Sequence, residues 1–222
     1  SNTAHGSSAL GGNTTGEGNV AVGSEALSGG PDNIENTAIG WRALRYNSSG
    51  DFNTALGAYA LTNNISGTEN TAIGENAMRA NIYGAYNIAI GKSALHNNNG
   101  NNNVAIGNSA MFYNNSGSNN TAIGYALYNN NNGNNNTAVG YDVLNTNSTG
   151  DFNSALGYAA LHYNTSGTNN TAIGTNSLGS NTTGQWNTST GVSSLIYCTI
   201  GANNTAHGGQ ALYNNTTGSN NT

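Results

Sequence analysis

The chain has 222 residues, but only 6% are charged and 35% hydrophobic, against about 25% and 45–50% in typical globular domains. A net charge of −5 with only four Lys and Arg residues leaves almost no electrostatic basis for nucleic-acid binding, and the single cysteine, Cys198, excludes an intrachain disulfide and a multi-cysteine zinc site. Disordered chains are also poor in apolar residues, but they carry high net charge and many prolines; a chain with one proline, Pro31, and Asn at roughly a fifth of its residues equally suits a ladder-forming β structure.

Periodicity decides for the ladder. The start N-T-A, or a close variant, recurs at Asn2, Asn19, Asn36, Asn53, Asn70, Asn87, Asn103, Asn120, Asn136, Asn153, Asn170, Asn187, Asn204 and Asn221, every 17 residues with two gaps of 16. The consensus is N-T-A-I-G-x-x-A-L-x-x-N-x-S/T-G-x-x. In chain order, the first coil follows it with His5 in the fourth position. The second is irregular around Pro31 and carries Asn33 where the others have their second glycine. The coils from Asn36, Asn53 and Asn70 are regular. The coil from Asn87 loses one residue in the turn His96–Gly100, and the coil from Asn120 loses one in Gly124-Tyr125-Ala126-Leu127. The coils from Asn136 onward are again 17 residues long, and the last has His207 in the fourth position.

Each coil holds two short apolar segments, T-A-I-G and A-L-x-x, separated by turn chemistry at G-x-x and N-x-S/T-G. They are too short for helices and alternate as strands do. The expected fold is therefore all-β, a parallel β-solenoid of about thirteen coils with two short strands per coil and no separate domains in 1–222. Stacking at about 4.8 Å per coil gives a rod of roughly 60 Å. The invariant fifth-position glycines, among them Gly40, Gly57, Gly74, Gly91, Gly107, Gly124, Gly140, Gly157 and Gly174, imply positive φ or a close backbone approach. Asn33 reads as the left-handed substitute at the second glycine position. Two internal rows are expected. One is Ile39, Leu56, Ile73, Ile90, Ile106, Ile123, Val139, Leu156 and Ile173; the other is Leu44, Leu61, Met78, Leu95, Met111, Leu127, Leu144, Leu161 and Leu178. Such a core is thin, and the alanines at the third and eighth positions suit close approach between chains.

Few residues suggest chemistry. Asp51 and Asp151 share a Gly-Asp-Phe-Asn context, but six coils at the stacking rise separate them by about 29 Å, against the roughly 5–10 Å of a glycosidase pair. Asp32 and Glu35 fall in the irregular coil. His5 and His207 take the place of a core aliphatic, which reads as relaxed burial in a frayed terminal coil. His96 and His162 lie elsewhere. Tyr46, Tyr113, Tyr128, Tyr163, Tyr197 and Tyr213, at the tenth and eleventh positions, form a candidate sugar-stacking stripe. Phe52, Tyr86, Phe152 and Trp186 precede the coil-start Asn, and packing between chains explains both sets. The N-x-S/T sites at Asn13, Asn47, Asn64, Asn114, Asn147, Asn164, Asn181 and Asn215 read as glycosylation acceptors or as a turn ladder. A threonine row at the second position suggests ice binding, weakened by its alternation with a residue read as buried. No enzyme activity, cofactor or metal is expected.

The motif N-T-A-I-G-x-x-A, clearest at Asn36–Ala43, Asn70–Ala77, Asn103–Ala110 and Asn120–Ile123, resembles the head repeats of trimeric autotransporter adhesins of the YadA type. The whole chain also resembles bacterial and phage tail-fibre repeats of the form N-T-A-x-G-x-x-A-L-x-x-N. The resemblance implies a left-handed parallel β-roll, three chains around one axis, and adhesion or spacing at a surface. The coil here is longer by three residues in the N-x-S/T-G stretch. The expected role is an extracellular structural or adhesive fibre segment, on a cell-surface appendage or virion. Its expected partner is itself, as a homotrimer or a head-to-tail filament, with host-surface or matrix glycans as further partners. The alternatives are a tail-fibre shaft and a glycan- or ice-binding solenoid. There is no signal peptide and no apolar run long enough to span a membrane, so the sequence reads as a mature chain or a segment of a longer one.

Overall fold

The computed structural model describes residues 1–222. It is all-β and contains no helix. The chain forms two compact units, Ser1–Ser116 and Gly117–Thr222, and each is a parallel β-solenoid. The first unit contains β1 (Thr3–His5), β2 (Val20–Val22), β3 (Thr37–Ile39), β4 (Thr54–Leu56), β5 (Thr71–Ile73), β6 (Ile88–Ile90), β7 (Asn97–Asn98), β8 (Val104–Ile106) and β9 (Tyr113–Asn114). The second contains β10 (Thr121–Ala126), β11 (Thr137–Val143), β12 (Ser154–Tyr158), β13 (Thr171–Ile173), β14 (Thr188–Thr190) and β15 (Thr205–His207).

Within each unit the T-A-I strands pair in parallel with the same residues one coil on, as in Thr37↔Thr54, Ala38↔Ala55 and Ile39↔Leu56. The two short coils keep this register. β6 still pairs Ile88 with Val104 and Ile90 with Ile106, so the turn His96–Gly100 absorbs the missing residue. In the coil from Asn120 a bulge absorbs it: Tyr125 pairs with Tyr141, and Ala126 then pairs with Val143, skipping Asp142.

The second segment also bonds from coil to coil, as in Leu27 N to Ala43 O at 2.9 Å and Leu44 N to Ala60 O at 3.0 Å. Its ninth residue has positive φ throughout, +51° at Leu44 and +47° at Met78. That conformation costs an L-residue about 1–2 kcal/mol and interrupts strand geometry. Regular pairing in this segment is seen between β7 and β9, Asn97↔Tyr113 and Asn98↔Asn114, and at Ala126↔Val143.

The interior corrects one expected row. Leu44, Leu61, Met78, Leu95, Met111, Leu127, Leu144, Leu161 and Leu178 are fully buried, but the fourth-position row is not internal. Ile39, Leu56, Ile90, Ile106, Ile123, Leu156 and Ile173 are 37–48% exposed, and Ile73 and Val139 are half-buried. The third-position alanines are inside instead. Alternation along a strand lets only one parity face inward. The third position faces the eighth across a narrow gap, filled by Ala or Ser in every coil but one, where Val143 stands at the eighth position. Where serines replace these alanines, Ser177 Oγ donates to Ser189 Oγ at 2.7 Å, and Ser189 and Ser194 are also in hydrogen-bond contact at 2.7 Å.

Two ladders of buried amides fill the rest. At the first position Asn53 N and Nδ2 both donate to Asn36 Oδ1, at 2.9 and 3.2 Å, while Nδ2 also reaches Gly67 O at 2.9 Å. At the twelfth position Asn64 donates to Asn47 Oδ1 at 2.6 Å and Asn81 to Asn64 Oδ1 at 2.8 Å, and each also bonds the glycine carbonyl three residues on. The second unit repeats this through Asn130, Asn147, Asn164 and Asn181. Buried polar groups are nearly always bonded, and here the repeat supplies the partner.

These ladders explain both glycines. The fifth-position ones have φ between +95° and +137° from Gly40 to Gly174, and a Cβ at Gly57 would lie 2.6 Å from Gly74 O. The second glycine is required by space: a Cβ at Gly67 would meet Gly84 O at 2.3 Å and Asn64 Oδ1 at 2.4 Å. Asn33 is therefore not a left-handed substitute, and its φ is not positive. Its coil exchanges the two residue types. Gly30 stands at the twelfth position, and Asn33 fills the vacated room, accepting from Asn47 Nδ2 at 2.6 Å.

Candidate interaction surface

With alanine inside, the second and fourth positions both face outward. Each unit thus presents a sheet face with a threonine-rich row beside an aliphatic one. In the second unit the first row is Thr121, Thr137, Ser154, Thr171, Thr188 and Thr205. The row beside the threonines is open or half-buried, so alternation does not weaken an ordered hydroxyl face. His5 and His207 lie at the edge of this outward row, so they replace no core residue and reflect no relaxed burial.

The six candidate tyrosines are all at least partly open, Tyr163 the most at 57%, but they occupy two rows and do not form one stripe. Tyr197 and Tyr213 meet edge to face at 5.1 Å. Tyr163 meets His162 likewise at 4.4 Å. A different row is continuous: Tyr125, Tyr141 and Tyr158 stack in series at 5.3 and 5.8 Å, with Tyr128 against Tyr125 at 5.2 Å. Its signal is the repeated Gly-Tyr pair directly after the T-A-I strand, which parallel register converts into a stack. Phe52, Tyr86, Phe152 and Trp186 are exposed.

The cationic residues all lie in the first unit. Arg42 and Arg45 share Glu25 at 3.3 and 2.6 Å, and Arg42 and Arg79 lie over Trp41 and Tyr59 at 4.8 and 5.0 Å. Asp51 and Asp151 act as ladder residues: their Oδ1 atoms accept Ile34 N at 2.9 Å and Asn134 N at 2.6 Å. In the irregular coil Thr15 Oγ1 donates to Asp32, and Glu35 has a φ of +51°. The N-x-S/T sites at Asn47, Asn64, Asn114, Asn147, Asn164 and Asn181 are ladder rungs with no exposed amide, which removes the glycosylation reading for them in the folded chain. Cys198 replaces one rung; burial pushes its thiol pKa up, partly offset by its contact with Gly201 O.

No family model and no curated protein sequence matches the chain.

Proposed function

We propose that the chain is a non-catalytic segment of an extracellular fibre, on a cell surface or virion, whose copies associate side by side through the outward threonine–isoleucine face. The supporting observation is the open aliphatic row: Ile39, Leu56, Ile90 and Ile106 in the first unit, and Ile123, Leu156 and Ile173 in the second. Burying such a side chain fully is worth about 1.5–3 kcal/mol. Within each unit the row repeats at the strand spacing of about 4.8 Å, a pitch that the same unit of another copy matches. Contiguous exposed apolar surface of this kind marks interaction sites. The adhesin-like motif puts a homotrimer first and an end-to-end filament second; a tail-fibre shaft uses the same assembly. Sedimentation velocity tests it. The chain is expected to run as an oligomer, and a variant with Ile90, Ile106, Ile123 and Ile173 replaced by Thr as a folded monomer; a wild-type monomer at every concentration overturns it.

The outward hydroxyl row supports a second reading, in which the same face orders water against ice. Thermal hysteresis in the wild-type chain, lost when Thr137 and Thr171 become Lys, supports that reading, and its absence excludes it.

A further inference from the structure

The second unit carries a groove that the side-by-side reading does not use. At the tenth position His162 and Ile196 are bulky, and Gly179 between them has no side chain. Ser180 follows it, where Tyr163 and Tyr197 stand in the adjacent coils. The missing bulk opens a groove of about 270 Å³ over Gly179 and Ala159, walled by Tyr158 and Tyr163 and edged by Asp142, His162, Asn176 and Ser180.

We propose that this groove binds a neutral saccharide. Tyr158 is 52% exposed and stacks one face on Tyr141 at 5.8 Å and 7° between planes, which holds the ring rigid. Tyr163 is braced edge-on by His162. Tyr158 lines the groove with no second ring against it; rigid aromatic faces offer large apolar contact at little entropic cost and suit the C–H face of a sugar ring. The polar edge supplies the complement. Asp142 Oδ1 accepts from Asn145 Nδ2 at 2.8 Å, which orients the carboxylate with its second oxygen available to accept hydroxyl protons. His162 Nδ1 lies 3.1 Å from the main-chain oxygen of Asp142. A carbonyl only accepts, so Nδ1 carries a proton, and in the neutral ring Nε2 is an acceptor. Asn176 and Ser180 add donors. A concave site with apolar walls and a few convergent polar groups is the usual form of a small-ligand site.

Charge selects the class. The second unit has no Lys or Arg and carries Asp142 and Asp151, so an anionic sugar meets repulsion and no counter-charge. None of the groove residues lies at the second or fourth position, so the site stands whether or not copies assemble.

The test is calorimetric and NMR titration of the full chain with methyl β-D-galactopyranoside, methyl β-D-glucopyranoside and N-acetylglucosamine. N-acetylneuraminic acid serves as the anionic probe and tetramethylammonium as the cationic one. At least one neutral sugar is expected to saturate and shift the Tyr158 and Tyr163 ring signals, with the anionic probe weaker. Tyr163→Ala and Gly179→Tyr should each weaken binding about tenfold or more. Gly179→Tyr is expected to fold, because the tenth position carries Tyr128 and Tyr213 elsewhere, and circular dichroism checks this. Binding unchanged in a folded Gly179→Tyr variant, failure of all three neutral sugars, or saturation by tetramethylammonium alone overturns the proposal. The last would make the groove an aromatic cation site.

Discussion

The side-chain oxygen of Asn181 is buried and has no hydrogen-bond partner, and the residue one coil on, where every regular coil supplies an amide, is Cys198. A second orphan, Asn13 Oδ1, sits before the coil in which Gly30 takes the rung position. Both lie where the ladder lacks its normal rung, which identifies the ladder itself as the source of satisfaction for these interior amides. Cys198→Asn restores a donor to Asn181 and an acceptor to Asn215. It should stabilise the chain by about 1–2 kcal/mol, read as a higher urea midpoint with an unchanged slope. Asn70→Ala, which orphans Asn87 N and leaves Asn87 Nδ2 with Gly100 O alone, should cost about 1–3 kcal/mol.

Opposite parities of the coil should respond oppositely to charge. Leu95 is fully buried and Ile90 is open. Leu95→Asp places an unpaired carboxylate in the interior and should prevent folding. Ile90→Asp should retain the far-ultraviolet spectrum of the wild type, with a stability change within about 1 kcal/mol once the monomers are compared. Equal damage from both would put the isoleucine row back inside.

That contrast also measures how legible the sequence was. The Leu row and the fifth glycine recur in every coil, and both could be read because a stacked coil repeats its constraints. The T-A-I strand offered two parities, and hydrophobicity favoured the wrong one. Variability carried the answer: the third position is alanine in all but one coil, whereas the fourth admits His, Val, Ile, Leu and Thr. A confined interior tolerates little change, and an open face tolerates much. The amide interior was legible only as Asn recurrence, because most cores are apolar and nothing in one coil shows that its partner is the next. The Gly30/Asn33 exchange was not legible, since it depends on which room the missing side chain vacates in three dimensions.

Gly57→Ala should be among the most damaging conservative changes. At φ +134° its added methyl would press on Gly74 O at 2.6 Å, a backbone atom held by the neighbouring coil. A loss of at least about 2–3 kcal/mol is expected, measured by urea denaturation. Ser66→Ala in the exposed turn should be nearly neutral.

Mild acid should loosen the first unit through His96. Its ring stacks on Phe112 at 4.7 Å; burial lowers its pKa, with Arg79 adding to the effect and a bond to Asn97 opposing it. The folded state thus disfavours the charged ring that the unfolded state accepts. The stabilising contribution is present above the ordinary histidine pKa and is lost as pH falls through the lowered one. Denaturation midpoints of the wild type should fall across that interval, and His96→Phe should flatten the curve.

The contact between copies is tested most directly by cysteine crosslinking in a Cys198→Ser background. Ile90→Cys places a thiol on the open aliphatic row; Asn108→Cys places one on an exposed position off it. A disulfide needs Cβ atoms about 3.5–4.5 Å apart, so only thiols brought together by the interface link quickly in dilute solution. Side-by-side assembly through the isoleucine row predicts intermolecular disulfides at Ile90→Cys at least about tenfold faster than at Asn108→Cys, with fold and oligomeric size unchanged. Equal rates at the two positions, or no linked species from Ile90→Cys, would contradict it.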